Sequence, residues 1–229
     1  MLAEPWDANG EVDVVSPRSS QANEQLREQS RERILTAALE VFAEKGFHSA
    51  TISDITARAG VSRGLITYYF PGKQDLAEEL LSRYLDGLMA LTGVTGTPDE
   101  RLAAMLDGVL GVVATALPVQ QMALTLMLHP STHPLFAMVE ARKDAQVTVL
   151  EDTLRALFAE RGAADPALEE VMFRSVLEGV IFKASVYRGK YPLERVRAWL
   201  FAMYDLPAPL TPLVDEDPPP VGRLRAAGE

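Results

Sequence analysis

Apolar residues recur every three or four positions over most of the chain, and no stretch shows convincing two-residue alternation. Ile34, Leu35, Ala38, Leu39, Val41 and Phe42 mark one face of a first helix, which stops at Gly46. Thr51-Ile52-Ser53-Asp54 has the form of a capping box and opens a short second helix. Ala59-Gly60 breaks it, Ser62 can cap a third, and Pro71-Gly72 ends that one. Leu76, Leu80, Leu81, Tyr84, Leu85 and Leu88 stripe a fourth helix, up to about Leu91. Further helices are expected over 98–117, 119–129, 134–161, 166–187 and 192–204. Pro98, Pro118, Pro134, Pro166 and Pro192 sit at their starts, where a missing N–H costs little. Residues 1–23 and the Pro-rich acidic stretch 206–229 lack the period and read as a disordered arm and tail. The expected fold class is all-α.

Composition narrows the classes of function. There are no cysteines, which excludes disulfides, thiol nucleophiles and cysteine-ligated zinc or iron–sulfur sites. The longest apolar stretch, around Val109 to Leu117, is interrupted by Gly111 and too short for a bilayer. Glu4 and Asp7 stand where a signal peptide would be positive, so a cytoplasmic chain with no membrane partner is expected. The net charge of −10 argues at first against nucleic acid. Its distribution argues the other way, because 58–73 carries Arg58, Arg63 and Lys73 and no acid. Arg27, Arg31 and Arg33 form a second basic group.

Those charges coincide with two short helices joined by a tight turn, 51–69. Such a pair reads DNA when its second helix presents small and polar groups to the major groove. Ser62, Arg63, Gly64, Thr67, Tyr68 and Tyr69 supply that face, while Ile52, Ile55, Val61, Leu65, Ile66 and Phe70 supply the packed side.

The stretch Gly46-Phe47, Ala50-Thr51-Ile52-Ser53-Asp54-Ile55 and Ala59 through Leu76 resembles the DNA-binding domain of TetR-family repressors, over about Ser30 to Tyr84. Thr67 stands where many members have the first of two tyrosines. The resemblance implies that Thr51 caps its helix and touches phosphate, that Ser62 lies near the backbone or a base edge, and that Gly64 allows close approach. It implies that Arg63 reads a base, its fork matching two acceptors of guanine. It gives Thr67, Tyr68 and Tyr69 phosphate or thymine-methyl contacts, and Lys73 a phosphate at a helix start.

Other motifs compete with this reading. Gly60-Val61-Ser62-Arg63-Gly64 fits the G-x-S-x-G of a hydrolase elbow, which would need a strand before the serine. His129 and His133 are four apart, yet Pro130 and Pro134 break the helix that would align them as metal ligands. His48 reads as a phosphate neighbour or an exposed side chain. No metal and no cofactor is expected.

The expected organisation is arm 1–23, helix-turn-helix domain 24–73, a helical regulatory and dimerisation domain 74–205, and tail 206–229. Within the regulatory domain Arg142 and Gln146 fall inside the apolar stripe of 134–161. They are candidates to line a small-molecule cavity with Met105, Met122, Leu126, Met127, Phe136 and Phe173, against the alternative of an ordinary core. The resemblance implies a homodimer through the last two long helices, with Val171, Ser175, Glu178, Phe182, Trp199 and Met203 as candidate contacts. The expected function is a ligand-responsive repressor on a near-palindromic operator, with duplex DNA, a second copy and an unidentified small-molecule effector as partners. The competing class is a helical small-molecule-binding protein without specific DNA recognition.

Overall fold

The computed structural model of the chain describes residues 17–209 and 211–214. It is built of α1 (Pro17–Ser49), α2 (Ile52–Ala59), α3 (Arg63–Tyr69), α4 (Lys73–Ala90), α5 (Pro98–Thr115), α6 (Leu117–Leu128), α7 (His133–Arg142), α8 (Asp144–Glu160), α9 (Pro166–Tyr187) and α10 (Leu193–Met203). Among the described residues there is no strand, and no single helix is long and apolar enough to cross a membrane.

The boundaries follow local chemistry. At Gly46 the helical path of α1 is interrupted (φ 75°, ψ 156°), a left-handed φ that favours glycine. Thr51 and Asp54 form the reciprocal capping box of α2, and Thr97 with Glu100 form that of α5. The five prolines expected at helix starts all lie in a first turn or at the N-cap.

Two cores form. The first joins Ile34, Phe42, Ile55, Ile66 and Leu76 of α1–α4 with Met122, Ala123 and Leu126 of α6 and Val139 of α7. The second joins α5, α8, α9 and α10 through residues such as Leu106, Leu157, Phe173 and Leu200. Leu76, Ala77, Leu80, Leu81 and Leu85 of α4 belong to the first core, so the chain's packing does not divide at residues 73 and 74.

Three expectations are corrected. The single helix over 134–161 is two, broken at Lys143 (φ −107°, ψ 13°). The polar run Arg142-Lys143-Asp144 has no apolar side chain to hold a continuous helix on the core. The Lys143 ammonium instead pairs with Asp86 of α4, and its carbonyl accepts the N–H groups of Gln146 and Val147. The expected arm is helical from Pro17, and its residues 1–16 lie outside the described residues.

The start of the expected tail is packed. Leu206 is buried, and Leu213 and Val214 lie against the second core. Arg197, only 3% exposed, donates to Asp107 of α5 and to the Thr211 carbonyl, while the Glu194 carboxylate accepts the N–H groups of Leu213 and Val214. Apolar residues set in a Pro-rich segment have no helical period, so a search for periodicity passes over them. The remainder of the tail, 215–229, lies outside the described residues.

Candidate nucleic-acid interface and cavity

The head places two helices around the turn at 60–62. Gly60 adopts the left-handed conformation that closes α2 (φ 63°, ψ 39°), and the Ser62 side chain caps α3 by accepting the Leu65 N–H at 3.2 Å. The G-x-S-x-G sequence is therefore a helix cap preceded by a helix. Arg33 of α1 secures the turn, donating to the Ala59 carbonyl at 2.7 Å. Such a bond, 26 residues apart in sequence, leaves no local signal.

One face of α3 is locked inward by Ile66 and Phe70, which are 0% and 4% exposed. Ser62, Arg63, Gly64, Thr67 and Tyr68 lie on the exposed side. Tyr68 is 69% exposed, and Tyr69, half-buried, meets it edge to face at 5.0 Å. The Arg63 guanidinium has no ion pair or hydrogen bond among the described residues. A Cβ on Gly64 would meet only Ser62 Oγ, at 4.0 Å, so the fold itself does not demand glycine there. Thr67 returns its hydroxyl to the carbonyls of Arg63 and Gly64. Thr51 is exposed, with its hydroxyl engaged by Asp54. Hydrogen bonds from Lys45 and Thr51 hold the Asp54 carboxyl down at about 2.

Two expected contributions change. The ammonium of Lys73 donates to the carbonyls of Phe47, His48 and Ala50 at 2.8, 2.8 and 3.1 Å, and lies over the Phe47 ring. Its three donors are taken up, so Lys73 fastens the start of α4 to the end of α1 and is not presented to a phosphate. Arg58 is paired with Glu40 and Glu44 of α1, so the segment without acids in sequence meets acids in space. Arg27 of α1 is placed differently. It lies with Asn23 and Ser30 in a groove between α1 and the Tyr68–Tyr69 side of α3, with no ion-pair partner among the described residues.

The three histidines also find other roles. Ser131 Oγ lies 2.8 Å from Nε2 of His48 and 2.9 Å from Nδ1 of His129, bridging the head to the turn before α7. His133 Nδ1 faces the Met127 carbonyl at 2.9 Å. Among the described residues no His/Asp/Glu group has a metal-binding arrangement.

Below the head, α4, α5, α6, α7, α8 and α9 line a cavity of about 210 Å³. Met105, Met127, Phe136 and Phe173, all candidates for a small-molecule cavity, are among its lining residues. Met122 and Leu126 belong to the first core instead. Arg142 and Gln146 are exposed and outside the lining, because the break at Lys143 turns them away; Arg142 pairs with Glu78. Sequence periodicity missed the cavity's polar groups, which are Tyr84, Gln120, Glu140, Arg174 and Glu178. The Tyr84 hydroxyl is pushed up to about 12, mainly by burial and further by the charge of Glu178. Glu178, an expected dimer contact, thus stands at the cavity. Val171, Phe182, Trp199 and Met203 are 47%, 45%, 61% and 43% exposed on α9 and α10, and Ser175 is exposed beside them.

The geometry defines a helix-turn-helix head on a larger helical body. Residues 34–80 match the family of bacterial regulatory proteins described as the tetR family. The match covers the helix-turn-helix head of the chain. It is 38% identical over 86 residues to the HTH-type transcriptional regulator BetI of Escherichia coli O17:K52:H18, a match covering 34% of this chain and 43% of that protein. The chain thus spans less than half the length of that curated relative. Its fold is similar to a regulator FadR from Bacillus subtilis in complex with stearoyl-CoA, with a TM-score of 0.59, 20% identity and coverage of 76% and 97% of the two chains. It is also similar to a transcriptional regulator from Saccharomonospora viridis in complex with choline, with a TM-score of 0.60, 20% identity and coverage of 78% and 96%.

Proposed function

We propose that this chain is a cytoplasmic, ligand-responsive repressor that binds a near-palindromic operator as a homodimer and is released by a small molecule in the cavity. The carrying observation is the division of α3. Ile66 and Phe70 fix it to the core, while Arg63, unpaired among the described residues, and exposed Tyr68 stand on its open side. Two such helices, related by a twofold axis, fit successive major grooves. The exposed apolar residues of α9 and α10 suit a self-complementary contact between copies.

The cavity is placed to act on the head. Leu85 and Ala123 line it and also belong to the first core. A ligand shifts DNA affinity only by binding the two conformations unequally, and it meets this shared layer directly. The fold neighbours hold an acyl-CoA and choline. Those two ligands differ in size and charge, so the effector's chemistry is left to this chain's own side chains.

The test is fluorescence anisotropy on duplexes tiled across the DNA upstream of the gene. Arg63→Ala is expected to weaken the preferred site by about 1–3 kcal/mol and relax its sequence preference. Equal, weak binding to all duplexes would refute the reading.

A further inference from the structure

The cavity's polar groups point to the class of effector, an inference that rests on the effector reading above. Gln120 is fully buried in the wall, and neither its amide nitrogen nor its oxygen has a hydrogen-bond partner among the described residues. Buried amides in folded proteins are almost always paired, so this one is a donor and an acceptor awaiting a complement. Glu140 and Glu178 stand solvent-exposed at the rim, with no ion-pair partner among the described residues. The cations nearby are committed to acids: Arg174, itself in the lining, to Glu151 and Glu170, Lys143 to Asp86, and Arg142 to Glu78. Between the buried amide and the acidic rim the wall is apolar and aromatic, with Tyr84, Phe136 and Phe173.

We propose that the cavity takes a compact organic cation. Its inner end carries a donor–acceptor group, such as a primary carboxamide, that pairs with Gln120. Its body is an aromatic ring or short carbon chain against the apolar wall, and its outer end is an ammonium facing Glu140 and Glu178. The aromatic faces favour a cation over an anion. Two uncompensated carboxylates repel an acyl carboxylate or a phosphate at the same mouth. The volume of about 210 Å³ is below the roughly 300–1,000 Å³ of drug-sized pockets, so the body is small and the charged end stays hydrated.

The test is isothermal titration of the full chain with three probes sharing a benzamide ring. One carries an aminobutyl chain, one a hydroxybutyl chain and one a carboxypropyl chain. The ammonium probe is expected to bind at least about tenfold more tightly than the carboxylate, with the alcohol between. The double variant Glu140→Gln, Glu178→Gln should bring the three within about threefold of one another. Gln120→Leu should weaken the ammonium probe and leave its phenyl analogue, which lacks the carboxamide, unchanged. Circular dichroism checks that each variant is folded. A carboxylate probe binding as tightly as the ammonium overturns the proposal, as does an ammonium probe insensitive to the double variant or silent at about 1 mM. Failure of the regulatory reading is a separate result, namely no preference among upstream duplexes by the unliganded chain, whatever the cation does.

Discussion

The head and the body settle their polar groups differently. Every buried side-chain polar atom found unpartnered among the described residues lies in the body, on Gln120, Arg155 and Ser185. In the head Arg33 is bonded to the α2 terminus, Lys73 to three carbonyls, and Arg58 to two acids. The head is internally complete and offers its chemistry outward, through Arg63 and Tyr68. The body keeps unmet capacity inside, and at Gln120 that capacity lies in the wall of the cavity. A surface meant for a rigid duplex benefits from being fixed beforehand, whereas a pocket is completed by what it receives.

Emptying the head's core should break this contrast most severely. Ile66 is 0% exposed and holds α3 in place, so Ile66→Ala should cost about 2–5 kcal/mol in urea unfolding. DNA binding should fall with it, although Ile66 faces away from the open side. Unchanged stability would mean that α3 is not held as described.

The body should respond in the opposite direction. Gln120→Leu removes an unpaired buried amide while roughly keeping its volume, and should stabilise the ligand-free chain by about 1 kcal/mol. A loss of stability would show that the amide is satisfied in solution, and the contrast between the two regions would disappear.

The smallest effect concerns acid. Asp54 has its folded pKa depressed to about 2 from an ordinary 3.8, so its contribution is complete at neutral pH and is lost as the pH falls through that interval. The stability difference between the parent and Asp54→Asn should stay level from neutral pH to about 5 and shrink below about 4. A difference that shrinks already near neutral pH would contradict the depressed value.

Much of the head was legible because its determinants are local. Thr51 with Asp54, Ser62 with Leu65, and the glycines at 46 and 60 act within three or four residues of themselves, where a sequence pattern can be read. The errors arose where partners are distant. Lys73 finds carbonyls 23 to 26 residues back, and Arg58 finds acids 14 and 18 residues back. In the body, one break at Lys143 moved Arg142 and Gln146 out of the cavity. Gln120 was passed over because its importance lies in a missing partner, which no spacing records.

The shared layer of Leu85 and Ala123 bears on how such a protein can diversify. One side of the cavity is also the head's interior, so substitutions there alter the reading of DNA together with ligand fit. The opposite side, with Met105, Leu154, Phe173 and Leu177, belongs to the second core and is free of that double duty. New ligand preferences are therefore most accessible through α5, α8 and α9, where a designer or natural selection can alter the lock without re-cutting the hinge.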